Sequence, residues 1–310
     1  MQITINQKQI DFTLENEKTL EDVIFGVQSW LDGTGFIITD ISADKTSIPL
    51  NHISEKGTTP IEDIGQIDLT VQSSIEAKIS LFETLFEYFN YLHTAVSEND
   101  LNRIKDLITS YSDIKTSFSI LFSYPSGNFA VSDAAFLDTM IQESGILDTD
   151  YREDNRSQIL TVINQIKTIF HNRIRELANP LREVLLTARL LKSSIFEISD
   201  VSVLLQTGKD RQAMNVIIKF SELSQKIIRL YPILKDYGIL NEKDLSIGNK
   251  NFTDFYQNLN SILSELLKAF EANDSVLIGD LLEYEIAPQL EELIRTLESL
   301  NQSDNNSGDL

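Results

Sequence analysis

The sequence predicts an α+β protein in which a small N-terminal sheet-and-helix module precedes a larger all-helical region of long antiparallel hairpins. Over residues 1–75, apolar and polar residues alternate with period two in several short runs, the pattern of strands with one buried face. From about Ser74 the period becomes 3.6 and Gly and Pro turn into rare punctuation, so 76–300 read as helices. The last ten residues, NQSDNNSGDL at 301–310, carry no apolar period and are expected to form a disordered tail.

The strand runs are Met1-Ile3-Ile5, Ile10-Phe12-Leu14, Phe36 to Ile41, and Ile67-Leu69-Val71, the first two joined through the polar Asn6-Gln7-Lys8-Gln9. Between the second and third, Thr19 is placed to cap a helix whose apolar face is Leu20, Val23, Ile24, Val27 and Leu31. In the helical region the spacing predicts a helix from Ser74 to about Val96, with Phe82, Phe86 and Phe89 in its apolar stripe, and another from Asn99 to Phe122. A shorter one follows over Ser132 to Ser144, stopped by Gly145. A long periodic stretch from Asp154 to Leu205 is broken at Asn179-Pro180, because proline in a helix interior costs ~3 kcal/mol. Further helices flank Thr207-Gly208-Lys209 and Ala272-Asn273. Asp100, Asp210 and Asp274 stand at equivalent places in three helical hairpins, each followed by apolar residues at +4, +7 and +8, although their uneven intervals do not support a regular solenoid.

The MQI opening, the TLEDV helix start at Thr19 to Val23 and the PIEDIGQIDLTV stretch from Pro60 resemble the β-grasp fold of ubiquitin-like proteins. The resemblance covers about a quarter of the chain. It implies a compact recognition module without conjugation chemistry, because Val71 runs through QSSIEAK into a helix with no terminal Gly-Gly.

Charge narrows the function. The chain of 310 residues has 26 basic against 47 acidic side chains, a formal net of −21, whereas nucleic acid and anionic lipid surfaces require a cationic face. Neither nucleic-acid binding nor membrane insertion is expected. With no cysteine there is no disulfide, thiolate nucleophile or Cys-based metal site, and without a basic-then-apolar leader the expected location is the cytoplasm. The Ile, Asn and Lys usage suggests an AT-rich bacterial genome.

Catalytic patterns are missing. His52, His93 and His171 have no zinc-helix spacing, Gly33-Thr34-Gly35 lacks the third glycine of a dinucleotide loop, and Gly208-Lys209 lacks the rest of a P-loop. No G-x-S-x-G elbow occurs. The acidic pairs Glu283-Glu285 and Glu291-Glu292 are read as solvated, and no cofactor is expected.

The segregation of charge is more informative. Lys167 to Lys192 has a local charge of +4, from Lys167, Arg173, Arg175, Arg182, Arg189 and Lys192 against Glu176 and Glu183, whereas Glu265 to Leu300 has −7. Such helices pair within a fold or across a dimer, and Arg182 and Arg189 are expected to flank an apolar stripe of Leu181, Val184, Leu185, Ala188, Leu191 and Ile195 as e and g charges flank a coiled-coil seam. The expected function is a non-enzymatic cytoplasmic adaptor or scaffold, with Arg175, Arg182, Arg189 and Lys192 meeting a protein partner or a second copy in a homodimer. The alternatives are a chaperone-like holder of an aggregation-prone partner, marked by an exposed apolar groove, or an enzyme or ligand-binding protein with a pocket between hairpins near His171 or Glu283.

Overall fold

The computed structural model describes residues 2–10, 17–50, 53, 57–122, 133–147, 155–240, 246–247, 249–272 and 274–305. Phe12, Leu14, His52, residues 124–128 and Asn273 lie outside them. The chain is α+β and forms two compact units, Met1–Ile174 and Arg175–Leu310.

The first unit opens with a mixed five-stranded sheet. Strands β1 (Gln2–Ile5), β2 (Lys8–Gln9), β3 (Phe36–Ala43), β4 (Thr46–Ile48) and β5 (Gln66–Ser73) lie in the order β2-β1-β5-β3-β4, with β1 parallel to β5 and the other pairs antiparallel. The first hairpin turns on Asn6 and Gln7, both at positive φ, so pairing resumes at Lys8, earlier than the alternation of Ile10 suggested. Asn6 also fastens the turn: its amide donates to the Val71 carbonyl and its carbonyl accepts from the Val71 N–H, both at 2.9 Å. A register shift between Ile38 and Asp40 lets Ile38 and Ile41 face the same side of the sheet.

Helix α1 (Leu20–Leu31) lies on that face. Thr19 and Asp22 form a reciprocal capping box, and all five predicted apolar residues are buried. The module's core comprises Ile3, the five α1 residues, Ile38, Ile41, Ile48, Ile64, Ile67, Leu69 and Val71, every one from within residues 3–71.

Helix α2 (Ser74–Glu98) starts on the residue after β5 and packs back on β3 and β5, so no linker separates sheet from helices. The expected all-helical stretch 76–300 is therefore shared between the two units. The helix predicted over Asn99 to Phe122 is two, α3 (Leu101–Thr109) and α4 (Tyr111–Leu121), broken at Ser110, whose hydroxyl competes for the Asp106 carbonyl. Next come α5 (Asp133–Glu143) and α6 (Arg156–Ala178). Phe82 and Phe89 of α2 do not serve the sheet. They join Phe118, Phe122 and Phe170 in an aromatic core among helices, with Phe82 edge-on to Phe122 at 5.5 Å between centroids.

In the second unit α7 (Pro180–Ser199) packs on α9 (Asp210–Asp236) and α12 (Ala287–Asn305). A short α8 (Val201–Gln206) precedes the Gly208 turn, and a two-residue hairpin, β6 (Ser246–Ile247) with β7 (Lys250–Asn251), leads into α10 (Phe252–Glu271). Helix α11 (Ser275–Asp280) continues through a π-helical turn, Leu281–Ile286, into α12. Asp100 and Asp274 are N-caps as expected, but Asp210 lies inside α9, behind Lys209 at the cap position. Met214 is exposed where its counterparts at +4, Ile104 and Ile278, are buried, and Ile218 is exposed where Ile108 is half-buried and Leu282 buried. Helix α12 runs into 301–305 of the expected tail, because extending a formed helix carries no nucleation cost. Residues 306–310 lie outside the described ones.

Candidate protein-interaction surface on helix α7

Helix α7 begins where the sequence places the break. Asn179 caps it by accepting from the Arg182 N–H at 3.3 Å, and Pro180 occupies the first turn, where its missing N–H costs nothing. Its buried stripe is Pro180, Glu183, Val184, Thr187, Ala188, Leu191, Ser194 and Ile198. The stripe is rotated from the predicted Leu181, Val184, Leu185, Ala188, Leu191 and Ile195 by the inclusion of Glu183, Thr187 and Ser194. Thr187 and Ser194 enter because their hydroxyls bond the carbonyls one turn back, at 2.7 and 2.9 Å.

Glu183, counted in the sequence as one of two acids within the basic segment, is a buried acid with two cationic partners. Arg175 donates to one oxygen at 2.5 Å and Lys226 of α9 to the other at 2.6 Å. Burial pushes its carboxyl up, but the bonds from Lys226 and Arg175 outweigh burial and hold it below the usual carboxylate range. Arg229 reaches the buried Glu176 in the same way, at 3.4 Å.

Of the four predicted partner-binding residues, two are therefore engaged within the fold: Arg175 with Glu183, and Lys192 with Glu298 of α12 at 3.0 Å. Arg182 and Arg189 are exposed and make no ion pair among the described residues. They do not flank the apolar stripe as expected; about 140–160° from Val184 around the axis, they project from the outer face. Seven residues beyond Arg189 on the same line stands Phe196, at 80% the most exposed large hydrophobic side chain among the described residues. Phe196 escaped the sequence reading, although its spacing of 7 and 14 residues from the two arginines was there to be found.

The other candidate features lie elsewhere. His93 is half-buried on α2, its pKa lowered first by burial and then by Lys167. His171 is exposed beside Phe86, with ring centroids 6.4 Å apart. Glu283 and Glu285 are exposed on the π-helical turn. An open groove of about 570 Å³ runs between α5 and α6, lined by Phe136, Met140, Ile169, Thr161, Asn164, Gln165 and Thr168, and none of these side chains can carry a proton-transfer step. Among the described residues no group of three or more His, Asp or Glu could hold a metal ion, and no helix is long and apolar enough to cross a membrane.

Residues 1–73 match the TP0873 N-terminal domain, and residues 183–296 match a domain of unknown function, DUF8042. An uncharacterised protein of Treponema pallidum (strain Nichols) is 29% identical over 157 residues, which is 51% of this chain and 68% of that protein. No solved structure matches the chain. Arg189 and Phe196 fall inside the second matched region, and Arg182 immediately precedes it.

Proposed function

We propose that this chain is a non-enzymatic cytoplasmic adaptor or scaffold that binds proteins through the outer face of α7. The observation that carries the reading is the line Arg182, Arg189, Phe196. In a chain of net charge −21 these two arginines make no ion pair among the described residues, whereas Arg175, Lys192, Lys219, Lys226 and Arg229 are each matched to a glutamate. An exposed arginine pair beside an exposed phenylalanine has the residue types that anchor protein interfaces. The N-terminal residues 1–75 fit the same role as a β-grasp-like recognition module with a self-contained core.

Comparative affinity capture tests the reading. The wild-type chain and Arg182→Glu with Arg189→Glu are used as baits in cells under equal expression, with quantitative mass spectrometry. A protein held at stoichiometric level by the wild type should be lost from the variant, while the circular dichroism of the two baits stays the same. Equal capture by both would place the interface elsewhere.

A further inference from the structure

The outer line of α7 continues past Phe196. Arg182, Leu186, Arg189, Ser193, Phe196 and Asp200 follow one another at spacings of four and three, so all six lie along one side of the helix. All are exposed except Leu186, which is half-buried. The line bears cations at one end, an exposed ring beyond its middle and a carboxylate at the other end. Although Asp200 precedes α8, its side chain makes no capping bond there.

This pattern complements itself in one orientation. Parallel alignment of two copies sets arginine on arginine and aspartate on aspartate. With two copies antiparallel about a twofold axis between the levels of Ser194 and Ile195, Arg189 of each lies opposite Asp200 of the other. In that register Phe196 lies opposite Ser193, whose small side chain lets the helices approach. The two Phe196 residues are then about 4.5 Å apart along the axis, at 1.5 Å per residue, within stacking range of one another. The flanking charges are already neutralised within each copy, Lys192 by Glu298 and Glu197 by Lys219, so they bring no unpaired ion to the seam.

We infer that the chain forms a homodimer by antiparallel pairing of α7, with two Arg189 to Asp200 ion pairs around a central pair of Phe196 rings. This rests on the reading of the α7 outer face as a contact surface and names its occupant as a second copy. The contact is isologous and closes on itself, so it yields a dimer and not a filament. Arg182 lies about two turns beyond Arg189, outside the ionic pairing.

Sedimentation velocity on the full chain, across a concentration series, tests the inference. The wild type should sediment at twice 35.2 kDa. Arg189→Asp and Asp200→Arg should each raise the dimer dissociation constant about 10- to 100-fold, since each turns two attractions into two repulsions. The double exchange should restore the dimer. Because the chain has no cysteine, Ser193→Cys supplies an independent readout: under oxidation it should give a disulfide-linked dimer, whereas Glu222→Cys, on α9, should not.

A wild type that is monomeric throughout, a dimer indifferent to both Arg189→Asp and Asp200→Arg, or a folded double exchange that stays monomeric would overturn the inference. If the chain is monomeric and still captures another protein in an arginine-dependent way, the second copy is the wrong occupant and the broader reading stands. If it captures nothing and does not dimerise, both fail.

Discussion

Lys192 of α7 donates to the Glu298 carboxylate of α12 at 3.0 Å, across 106 residues of sequence. The basic and acidic segments of the chain thus meet inside one fold. Both side chains remain exposed, so water and salt screen the pair and its contribution should be under ~1 kcal/mol. Lys192→Ala should lower the urea midpoint only slightly, by an amount that vanishes in about 1 M salt, and should leave partner capture intact. A loss of capture equal to that of the Arg182 and Arg189 reversal would return Lys192 to the interface.

Glu183 should behave differently because it is buried and serves two cations. Glu183→Gln leaves Arg175 and Lys226 without their acid; both can turn partly to water, so a cost of about 1–3 kcal/mol is expected. The folded-state pKa lies below the ordinary value. The stabilisation is therefore fully present above the ordinary carboxylate range and is lost as pH falls through the lowered value. Urea titrations of wild type and variant should differ at about pH 7, and the difference should close only once the pH has fallen below the lowered folded-state value.

The three similar hairpins separate by their caps. Asp274 accepts from the Leu277 N–H at 3.0 Å and Asp100 from the Arg103 N–H at 3.1 Å, so Asp274→Ala and Asp100→Ala should each cost ~1 kcal/mol. Asp210, already inside its helix, makes no such bond, and Asp210→Ala should cost clearly less. Thermal melts of the three variants give the order directly.

Gly279 sets the distance between α11 and α8. A Cβ there would meet the Cβ of Ser202 at 2.9 Å, closer than real contacts allow. Gly279→Ala should destabilise by about 1–3 kcal/mol, as overpacking does, and Ser202→Gly in the same chain should recover part of that loss. Additive costs in the double variant would mean that the two helices part freely.

What the sequence disclosed follows its periodicities. The α1 face was legible because Leu20, Val23, Ile24, Val27 and Leu31 obey the helical period and Thr19 with Asp22 spells a cap. The break before Pro180 was legible from the chemistry of proline. The turn at Asn6-Gln7 was less visible, because Gln is an uncommon residue at positive φ and its cost is offset by the Asn6 bonds to β5. In α7 hydrophobicity alone set the predicted stripe a fraction of a turn away. Glu183 is buried by virtue of Arg175 and Lys226, and Lys226 is a partner that only tertiary structure supplies. That rotation moved Arg182 and Arg189 from the flanks of the stripe to the outer face, where they share a line with Phe196.

The central claim is that this line is a contact surface in the cell, and photocrosslinking reads it most directly. With p-benzoylphenylalanine at position 196 of the full-length chain, illumination of intact cells should give one discrete higher-mass adduct. The same probe at position 136, on the open groove of the first unit, should give none. The adduct should disappear when Arg182→Glu and Arg189→Glu are added. No adduct from position 196, or one that survives reversal of both arginines, would contradict the account.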